Sequence, residues 1–520
     1  MSRKNVGKII TTVLLIGLGV VGIWSVLYNT RFGAYITGDA IVYIQGAENI
    51  LAGNGYSTLL GRGEISPITG FPPLTSISLA LTNWGLGGMF QTGRWLNAVL
   101  FGSNIVLAGF VVYRYARAAL PAVLAAAMIT AQQALITIHS WVMSEGLFTF
   151  ILLLTLWVIA EYFWSGRKWL LVLAGILTAL CFLTRYLGIV LVPVIGIGLL
   201  FFGRQNWKDR LGAILVFGSV SMTPMALWLL RNQMVYGSMI SRQTGLHLMS
   251  QQLRGLLGDT IFSWFYLTKL GLYWKMRVLT FGALFGAYLS WFGWTVYKSK
   301  TKETEQHTGG YPLPVLLTIL FALYIAFIWI NSSFLDPNTS KSAIVRYVTP
   351  LFVPTVVMVT CIASFIAGHS KGIAPKLLFT GIGALLLLYY GSGWLAYIQN
   401  NWKAGHSYSD MIKSWTADVA LLKQLSPNAP LVSNDIQLLY ALSNRYSYGL
   451  PPTAASIPGV FFEVDTNKLF DELSPNGYLV IIAESAKVVS DILPENIQEQ
   501  LALYNHADHV WVYILPTSTP

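Results

Sequence analysis

The sequence predicts a polytopic α-helical membrane protein with about eleven transmembrane helices and a small C-terminal extracytoplasmic α/β domain. Hydrophobic residues make up 54% of the 520 residues and charged residues only 11%, whereas soluble domains carry about 25% charged residues. Near Trp402 the long apolar runs stop and the composition becomes that of a soluble domain. We therefore divide the chain into a transmembrane domain, 1–400, and a C-terminal domain, 401–520.

Each predicted span is an apolar run of roughly the length that a bilayer requires. Tryptophan and tyrosine cluster near the ends of these runs, as expected at the membrane–water interface. The first run is long for the apolar core of a signal peptide, so we expect it to be retained. The predicted spans are 9–28, 93–113, 118–138, 146–164, 169–184, 186–202, 211–230, 276–297, 312–330, 348–367 and 375–397.

Basic residues concentrate in alternate connections between the spans. This side is expected to be cytoplasmic by the positive-inside rule, so the net charge of +11 indicates orientation rather than nucleic-acid binding. The N-terminus is then cytoplasmic, and an odd number of spans places the C-terminal domain outside. The basic residues of these connections are Arg3, Lys4, Lys8, Arg114, Arg117, Arg167, Lys168, Arg204, Lys208, Arg210, Lys298, Lys300, Lys302, Lys371 and Lys376.

The C-terminal domain shows apolar segments with a period of two between helical patterns. Strands are predicted at 430–434, 478–482 and 509–515, and helices around 408–425, 435–443 and 494–503. Strands that alternate with helices are typical of a small α/β domain.

The first outward loop, 29–92, carries the most informative acidic residue. Segment 35–52 has the pattern of a short amphipathic helix, and Asp39 lies near its start. A carboxylate at the mouth of a span is costly unless it has a partner or a task. Asp39 could cap this helix or act as a catalytic base, and its spacing alone favours neither. Glu48, about two and a half turns later, is interpreted as a scaffold residue.

A second acidic position lies in a short outward connection. Glu145 stands at the start of a span, where a carboxylate also favours the helix dipole. It is a candidate catalytic residue that would cooperate with Asp39, or a group that binds acceptor or metal. His139, six residues earlier, could contact a phosphate or end a helix. Two such residues fall short of a metal-ligand set, so a divalent ion is left open.

Four arginines lie on the outward face, where the positive-inside rule does not explain them. The planar guanidinium pairs well with phosphate oxygens, so these residues fit an anionic lipid-phosphate substrate. Arg346, followed by Tyr347, is the first choice for a phosphate clamp. The other three are Arg231 as second choice, Arg185 and Arg242.

These residues, in this order, resemble the GT-C superfamily of glycosyltransferases that use polyprenyl-phosphate sugars, including protein O-mannosyltransferases and aminoarabinose transferases. The most specific piece is Gly38-Asp39-Ala40 followed by Ala47-Glu48-Asn49 and Gly55-Tyr56-Ser57. Supporting pieces are Phe71-Pro72-Pro73-Leu74, Ser144-Glu145-Gly146, Leu183-Thr184-Arg185, Trp228 with Arg231-Asn232, and Arg346-Tyr347.

The resemblance implies an enzyme in the bacterial inner (plasma) membrane. It would move a single sugar from a polyprenyl-phosphate donor to a hydroxyl acceptor on the outer face. The acceptor could be a lipid, a glycan or a protein. The transfer would invert the anomeric centre in one displacement, with Asp39 as general base. Many relatives have Glu after this Asp, whereas here Ala40 follows, so metal dependence and acceptor class are not carried over.

Two other functions remain open at this stage. A lipid transporter or flippase would need ionisable residues near mid-membrane or a repeat architecture, whereas the charges here cluster at span ends. An O-antigen ligase or polymerase would use diphosphate-linked glycans and carry its long functional loop late in the chain. Expected partners are the lipid-linked sugar donor and membrane lipids, with no nucleic acid, and we expect a monomer.

Overall fold

The transmembrane domain is a bundle of helices around one large apolar core. The computed structural model describes residues 3–61, 64–83, 85, 87–203, 206–240, 248–302, 312–335, 341–370, 372–404, 414–450, 466–473, 476–483, 485, 493 and 495–516. Its first helices are α1 (Arg3–Asn29), α2 (Gly38–Leu51), α3 (Leu74–Leu81), α4 (Met89–Ala116), α5 (Ala119–Ala131), α6 (Gln133–His139), α7 (Glu145–Ser165) and α8 (Lys168–Thr184). They are followed by α9 (Leu191–Phe202), α10 (Trp207–Tyr236), α11 (Gln251–Ser263), α12 (Trp274–Lys302), α13 (Pro312–Ile330), α14 (Lys341–Val348), α15 (Phe352–His369) and α16 (Ala374–Ala404).

All eleven predicted spans coincide with helices. Within the described residues, seven helices are long and apolar enough to cross a membrane, which makes this a multi-pass membrane protein. Helices α5 and α6 meet at a bend of 62° and would form an eighth span together. The predicted span 276–297 lies in α12, which is not among these seven, and the segments 168–184 and 186–202 are apolar but shorter. The exact number of eleven spans therefore stays a prediction.

The first helix packs closely against α4 because both present glycine at the crossing. A Cβ atom built on Gly102 would lie 2.7 Å from the backbone oxygen of Gly19, and one on Gly19 would lie 3.0 Å from that of Gly102. Small residues at helix crossings allow this approach of two backbones in membranes. The crossing joins α1 to the helix that follows the loop with Asp39.

The first outward loop folds into two helices and a hairpin. Helix α2 confirms the helix expected over 35–52, and α3 occupies part of the segment that follows. Between them strands β1 (Ser57–Gly61) and β2 (Glu64–Pro67) pair in antiparallel fashion, an element that the sequence analysis did not predict.

The C-terminal domain contains a five-stranded sheet. Its strands are β3 (Leu431–Ser433), β4 (Tyr448–Gly449), β5 (Tyr478–Ile482), β6 (Ala502–His506) and β7 (Val510–Ile514), in the spatial order β4-β3-β5-β7-β6. The first three are parallel, and β7 runs antiparallel to both neighbours. Its helices are α17 (Thr416–Gln424), α18 (Ile436–Ser443), α19 (Thr466–Leu473) and α20 (Glu495–Gln498).

Most predicted elements of this domain are present, with one correction. The three predicted strands correspond to β3, β5 and β7, and the helices expected around 408–425 and 435–443 correspond to α17 and α18, although 408–413 lie outside the described residues. The helix predicted over 494–503 is wrong in its second half. A short helix covers Glu495–Gln498, and strand β6 begins at Ala502.

The C-terminal domain docks on helix α2 of the first outward loop. A separate apolar cluster contains Ala40 and Ile44 of α2 together with Tyr440 of α18. The Tyr440 ring also meets Phe90 edge to face at 6.5 Å and stacks on Tyr446 at 5.1 Å. The helix that carries Asp39 is therefore held between the bundle and the C-terminal domain.

Candidate active site

Four charged side chains, at the ends of α2, α7, α8 and α14, form a continuous network of ion pairs. The Nη2 atom of Arg346 lies 2.6 Å from Oδ2 of Asp39, and its Nε atom lies 2.9 Å from Oε1 of Glu145. The same Oε1 lies 2.7 Å from Nη1 of Arg185. Two acids and two bases thus neutralise each other where isolated buried charges would be costly.

The four ion-paired side chains differ in their exposure to solvent. The Asp39 side chain is 30% exposed, Arg346 15% and Arg185 11%, while Glu145 is fully buried. A small molecule can therefore reach Asp39, whereas the Glu145 carboxylate is enclosed by protein. The second Glu145 oxygen, Oε2, is buried without a hydrogen-bond partner among the described residues.

The local structure explains why Asp39 faces this site. Helix α2 begins at Gly38, and its N-cap is Thr37, whose Oγ1 accepts a hydrogen bond from the backbone N–H of Ala40 at 3.2 Å. Thr37 and not Asp39 is therefore the cap, and the Asp39 side chain is free to pair with Arg346. A carboxylate in the first turn is also favoured by the helix dipole.

A short backbone contact joins the approach to α2 with the approach to α7. The N–H of Tyr35 donates to the carbonyl of Ser140 at 2.9 Å, and the N–H of Val142 donates to the carbonyl of Tyr35 at 3.4 Å. Both segments end a few residues before an acid, Asp39 in one and Glu145 in the other. The contact therefore sets the two carboxylates on either side of Arg346.

Arg185 reaches the cluster from the sharp turn between α8 and the following 3-10 helix, Tyr186–Val190. Its backbone is extended, and the chain then folds back so closely that a Cβ on Gly188 would collide with the backbone of Cys181 and Phe182. Only glycine allows this approach. The Arg185 guanidinium also donates to Oγ of Ser144 at 2.9 Å.

A cavity of about 270 Å³ opens beside the charged cluster. It is large enough for part of a small ligand. Asp39, Arg185 and Arg346 form its polar wall. Thr184 and Asn331 also line it, and most of the remaining wall is aromatic or aliphatic, formed by Tyr43, Phe71, Phe182, Tyr186, Leu187, Ile189, Leu229, Ile240, Phe327, Ile328 and Tyr347.

Tyr43 also lines the cavity and contacts Ser144, which in turn pairs with Arg185, and sequence reasoning assigned neither residue a role. The Tyr43 hydroxyl donates to Oγ of Ser144 at 3.2 Å. Burial raises the pKa of the Tyr43 hydroxyl, so it stays a neutral donor at physiological pH. Tyr43 stands four residues after Asp39, which places it on the same face of α2, and this spacing could have identified it.

The remaining predicted residues lie at different distances from the cavity. Tyr347 lines it, and its ring lies 5.6 Å from the Arg185 guanidinium carbon. Arg231 does not line it and instead donates to the backbone carbonyl of Ile68 at 2.8 Å. Arg242 lies outside the described residues.

His139 is buried at the end of α6 and not exposed in a loop. Its Nδ1 lies 2.7 Å from the carbonyl oxygen of Leu135, and its Nε2 lies 3.3 Å from the amide nitrogen of Asn104. Within the described residues no three His, Cys, Asp or Glu side chains are grouped to hold a metal ion. Because Glu145 is also paired with two arginines, these residues do not fit the divalent ion that the sequence left open.

Comparison with solved structures identifies the fold, whereas the sequence comparisons find no match. No family model and no curated protein matches the chain. The apo crystal structure of ArnT from Cupriavidus metallidurans superposes with a TM-score of 0.62 at 11% identity, over 96% of this chain and 97% of that chain. The structure of ArnT bound to undecaprenyl phosphate gives a TM-score of 0.58 at the same identity and coverage. The chain therefore shares the fold of these ArnT structures, and this agrees with the fold that the resemblance in its sequence motifs implied.

Proposed function

We propose that this protein is a membrane glycosyltransferase that moves a single sugar from a polyprenyl-phosphate donor to a hydroxyl acceptor on the outer face of the membrane. The observation that carries the proposal is the Asp39–Arg346 ion pair, which lies at the wall of a cavity with both charged and apolar lining residues. This cavity offers a base, cationic groups for a phosphate and an apolar surface for a lipid. A solved structure of the same fold holds undecaprenyl phosphate.

Asp39 is the proposed general base. It is the more exposed of the two clustered carboxylates, and it lines the cavity. The acceptor hydroxyl oxygen attacks the anomeric carbon, and Asp39 takes the hydroxyl proton. The bond between the anomeric carbon and the phosphate oxygen breaks, and its electron pair leaves with the phosphate. One displacement of this kind inverts the anomeric centre.

Arg346 and Arg185 are the proposed phosphate-binding groups, since both guanidinium groups line the cavity. Arg346 is paired with Asp39. A donor phosphate that competes for Arg346 would loosen this pair and leave the Asp39 carboxylate available to the acceptor. Arginine suits this exchange because its planar fork binds carboxylate and phosphate oxygens alike.

Glu145 is proposed to position the arginines and not to exchange protons with the substrate. It is fully buried, and its Oε1 atom contacts Arg185 and Arg346 together. A carboxylate that is sealed from the cavity has no path to an acceptor hydroxyl. This assignment revises the expectation that Glu145 acts beside Asp39 in the chemical step.

The test is transfer of labelled sugar from a panel of polyprenyl-phosphate monosaccharides, in membranes that contain the wild-type protein or Asp39→Asn. The label is followed into lipid, glycan and protein fractions, which also identifies the acceptor class. Loss of a general base lowers rates by about 10²–10⁴-fold, so transfer should fall in this range. Glu48→Gln, the other acid of α2, is the matched control and should retain transfer.

Two results would contradict the proposal. Normal transfer by folded Asp39→Asn protein would remove the base assignment. Transfer from a diphosphate-linked oligosaccharide, with none from any monosaccharide donor, would indicate a ligase or polymerase instead.

A further inference from the structure

We propose that a second cavity, separate from the active site, binds one acyl chain of a bilayer phospholipid. The cavity has a volume of about 320 Å³ and lies between α12, α15, α16 and the segment 264–267 that follows α11. Within the described residues it shares no lining side chain with the active-site cavity. Its walls are almost entirely aromatic and aliphatic.

The hydroxyl groups along this cavity are already satisfied by the protein. Each donates its proton to a backbone carbonyl, so none of these four hydroxyl groups can donate a hydrogen bond to a ligand. The pairs are Tyr288 with Val359 at 2.5 Å, Thr355 with Leu351 at 2.7 Å, Thr360 with Val356 at 2.7 Å and Tyr390 with Trp264 at 2.6 Å. A cavity with satisfied polar groups and apolar walls fits a hydrocarbon chain.

The shape of the cavity matches one leaflet of a bilayer. Along α15 its lining runs from Phe352 to Ala363, which corresponds to about 16 Å at the rise of an α-helix. The hydrocarbon core of a bilayer is about 30 Å thick. The cavity therefore accommodates a chain that enters from a single leaflet, as an acyl chain of a phospholipid does.

Two side chains that line the cavity are exposed on the surface of the bundle, one on α12 and one on α16. Leu284 of α12 is 62% exposed and Ile382 of α16 is 47% exposed, and both line the cavity. At one end Phe379 packs against the Tyr288 ring at 6.0 Å. At the other end Phe352 packs against the Trp264 ring at 5.5 Å. A chamber that is closed at both ends and has apolar lining exposed on two helices of the bundle receives its ligand from the bilayer.

The active-site cavity offers the donor a different apolar surface, formed by the 3-10 helix Tyr186–Val190, α10 and α13. The donor's polyprenyl chain can follow that surface away from Arg346. The second cavity lies on the other side, along α15, which continues the segment that carries Arg346. We therefore assign the second cavity to an acyl chain and not to the donor.

The experiment uses the full chain in nanodiscs that contain a phospholipid with a photoactivatable diazirine in its acyl chain. Crosslinks are mapped by mass spectrometry to peptides of α12, α15 and α16. We expect crosslinks at the cavity lining, and these should persist in excess unlabelled polyprenyl phosphate. Asp39→Asn protein should show the same crosslinks, so the result is independent of the proposed transfer.

Two glycines of α16 supply a blocking variant and its control. Gly383 lines the cavity, so Gly383→Trp should fill it and reduce the lining crosslinks about tenfold, a loss that corresponds to about 1.4 kcal/mol of binding. Gly381 has open space around its Cβ position and does not line the cavity, so Gly381→Trp should change nothing. Equal crosslinking in both variants, or loss of the crosslinks when polyprenyl phosphate is added, would overturn the proposal.

Discussion

At the scale of single residues, the site depends on one arginine that contacts two carboxylates. Arg346 is separated from Asp39 by 307 positions and from Glu145 by 201. The sequence analysis placed all three on the same side of the membrane from the number of spans and the positive-inside rule. Contacts between such distant positions depend on how the helices pack, so the pairing itself could not be predicted.

Removal of the Glu145 charge should damage the site through its arginines. Glu145→Gln leaves Arg185 and Arg346 buried with only Asp39 to neutralise them, and breaking a buried pair costs about 3–5 kcal/mol. We expect a lower thermal unfolding midpoint and weaker donor binding. The measurement is thermal unfolding in detergent.

The double variant Glu145→Gln with Arg185→Gln provides the internal control for this prediction. It removes one charge of each sign, so the unfolding midpoint should recover part of the loss. Strictly additive losses would mean that the two side chains do not act on each other, and the positioning role would be wrong.

Glu48 should make docking of the C-terminal domain dependent on pH. Burial beside Tyr440 and Tyr446 raises the pKa of Glu48 above its ordinary value near 4.5. The docked state then holds a proton that the unfolded chain has released. Stability should fall as the pH rises from the ordinary pKa through the raised one.

Glu48→Gln removes the titrating group, so the prediction is tested by comparing thermal unfolding of this variant with that of the wild type at several pH values. The unfolding midpoint of the variant should exceed that of the wild type at pH 8, and the difference should shrink toward pH 4. A difference that is the same at both pH values would show that the charge of Glu48 is not responsible.

At the scale of elements, regular periodicity was sufficient for the long helices and for most of the sheet. Strand β6 was missed because four of its five side chains are exposed, so it lacks the alternation that marks a half-buried strand. The hairpin of β1 and β2 was missed for a related reason, since few of its residues are apolar. Short exposed strands are held by backbone hydrogen bonds, which leave little trace in the sequence.

Arg231 of α10 should hold the first outward loop in place and not bind the donor phosphate. Arg231 donates to the carbonyls of Ile68 at 2.8 Å and Tyr56 at 3.5 Å. Lysine has no planar guanidinium group and cannot make both hydrogen bonds in the same geometry. For Arg231→Lys we therefore expect faster proteolysis of loop 52–72, with little change in affinity for a polyprenyl phosphate.

Arg346→Lys is the comparison, since lysine keeps the charge but not the planar fork. It should weaken polyprenyl-phosphate binding about tenfold or more, which corresponds to at least about 1.4 kcal/mol. If Arg231→Lys weakened binding as much as Arg346→Lys, Arg231 would belong to the phosphate clamp, as the sequence alone suggested.

At the scale of the whole molecule, the C-terminal domain acts as a support for the helix that carries the proposed base. The sequence separated this domain from the bundle by its composition but did not define its role. The contacts of α18 are more specific, because Tyr440 belongs to the same apolar cluster as the buried face of α2. The position of Asp39 therefore depends on a residue about 400 positions away.

Tyr440→Ala should consequently reduce transfer although Tyr440 does not line the active-site cavity. The side chain is only 3% exposed, and truncation of a buried aromatic residue costs about 3–5 kcal/mol. Since Tyr440 contacts α2 and Phe90, we expect this loss to appear as undocking of the domain. Hydrogen exchange should rise in α2 and α18, while the long helices stay protected. The matched control is Leu503→Ala on the distant strand β6, where Leu503 is 51% exposed and substitutions usually stay within about 0.5 kcal/mol. If Tyr440→Ala left exchange in α2 unchanged, the domain would cover the site without supporting it.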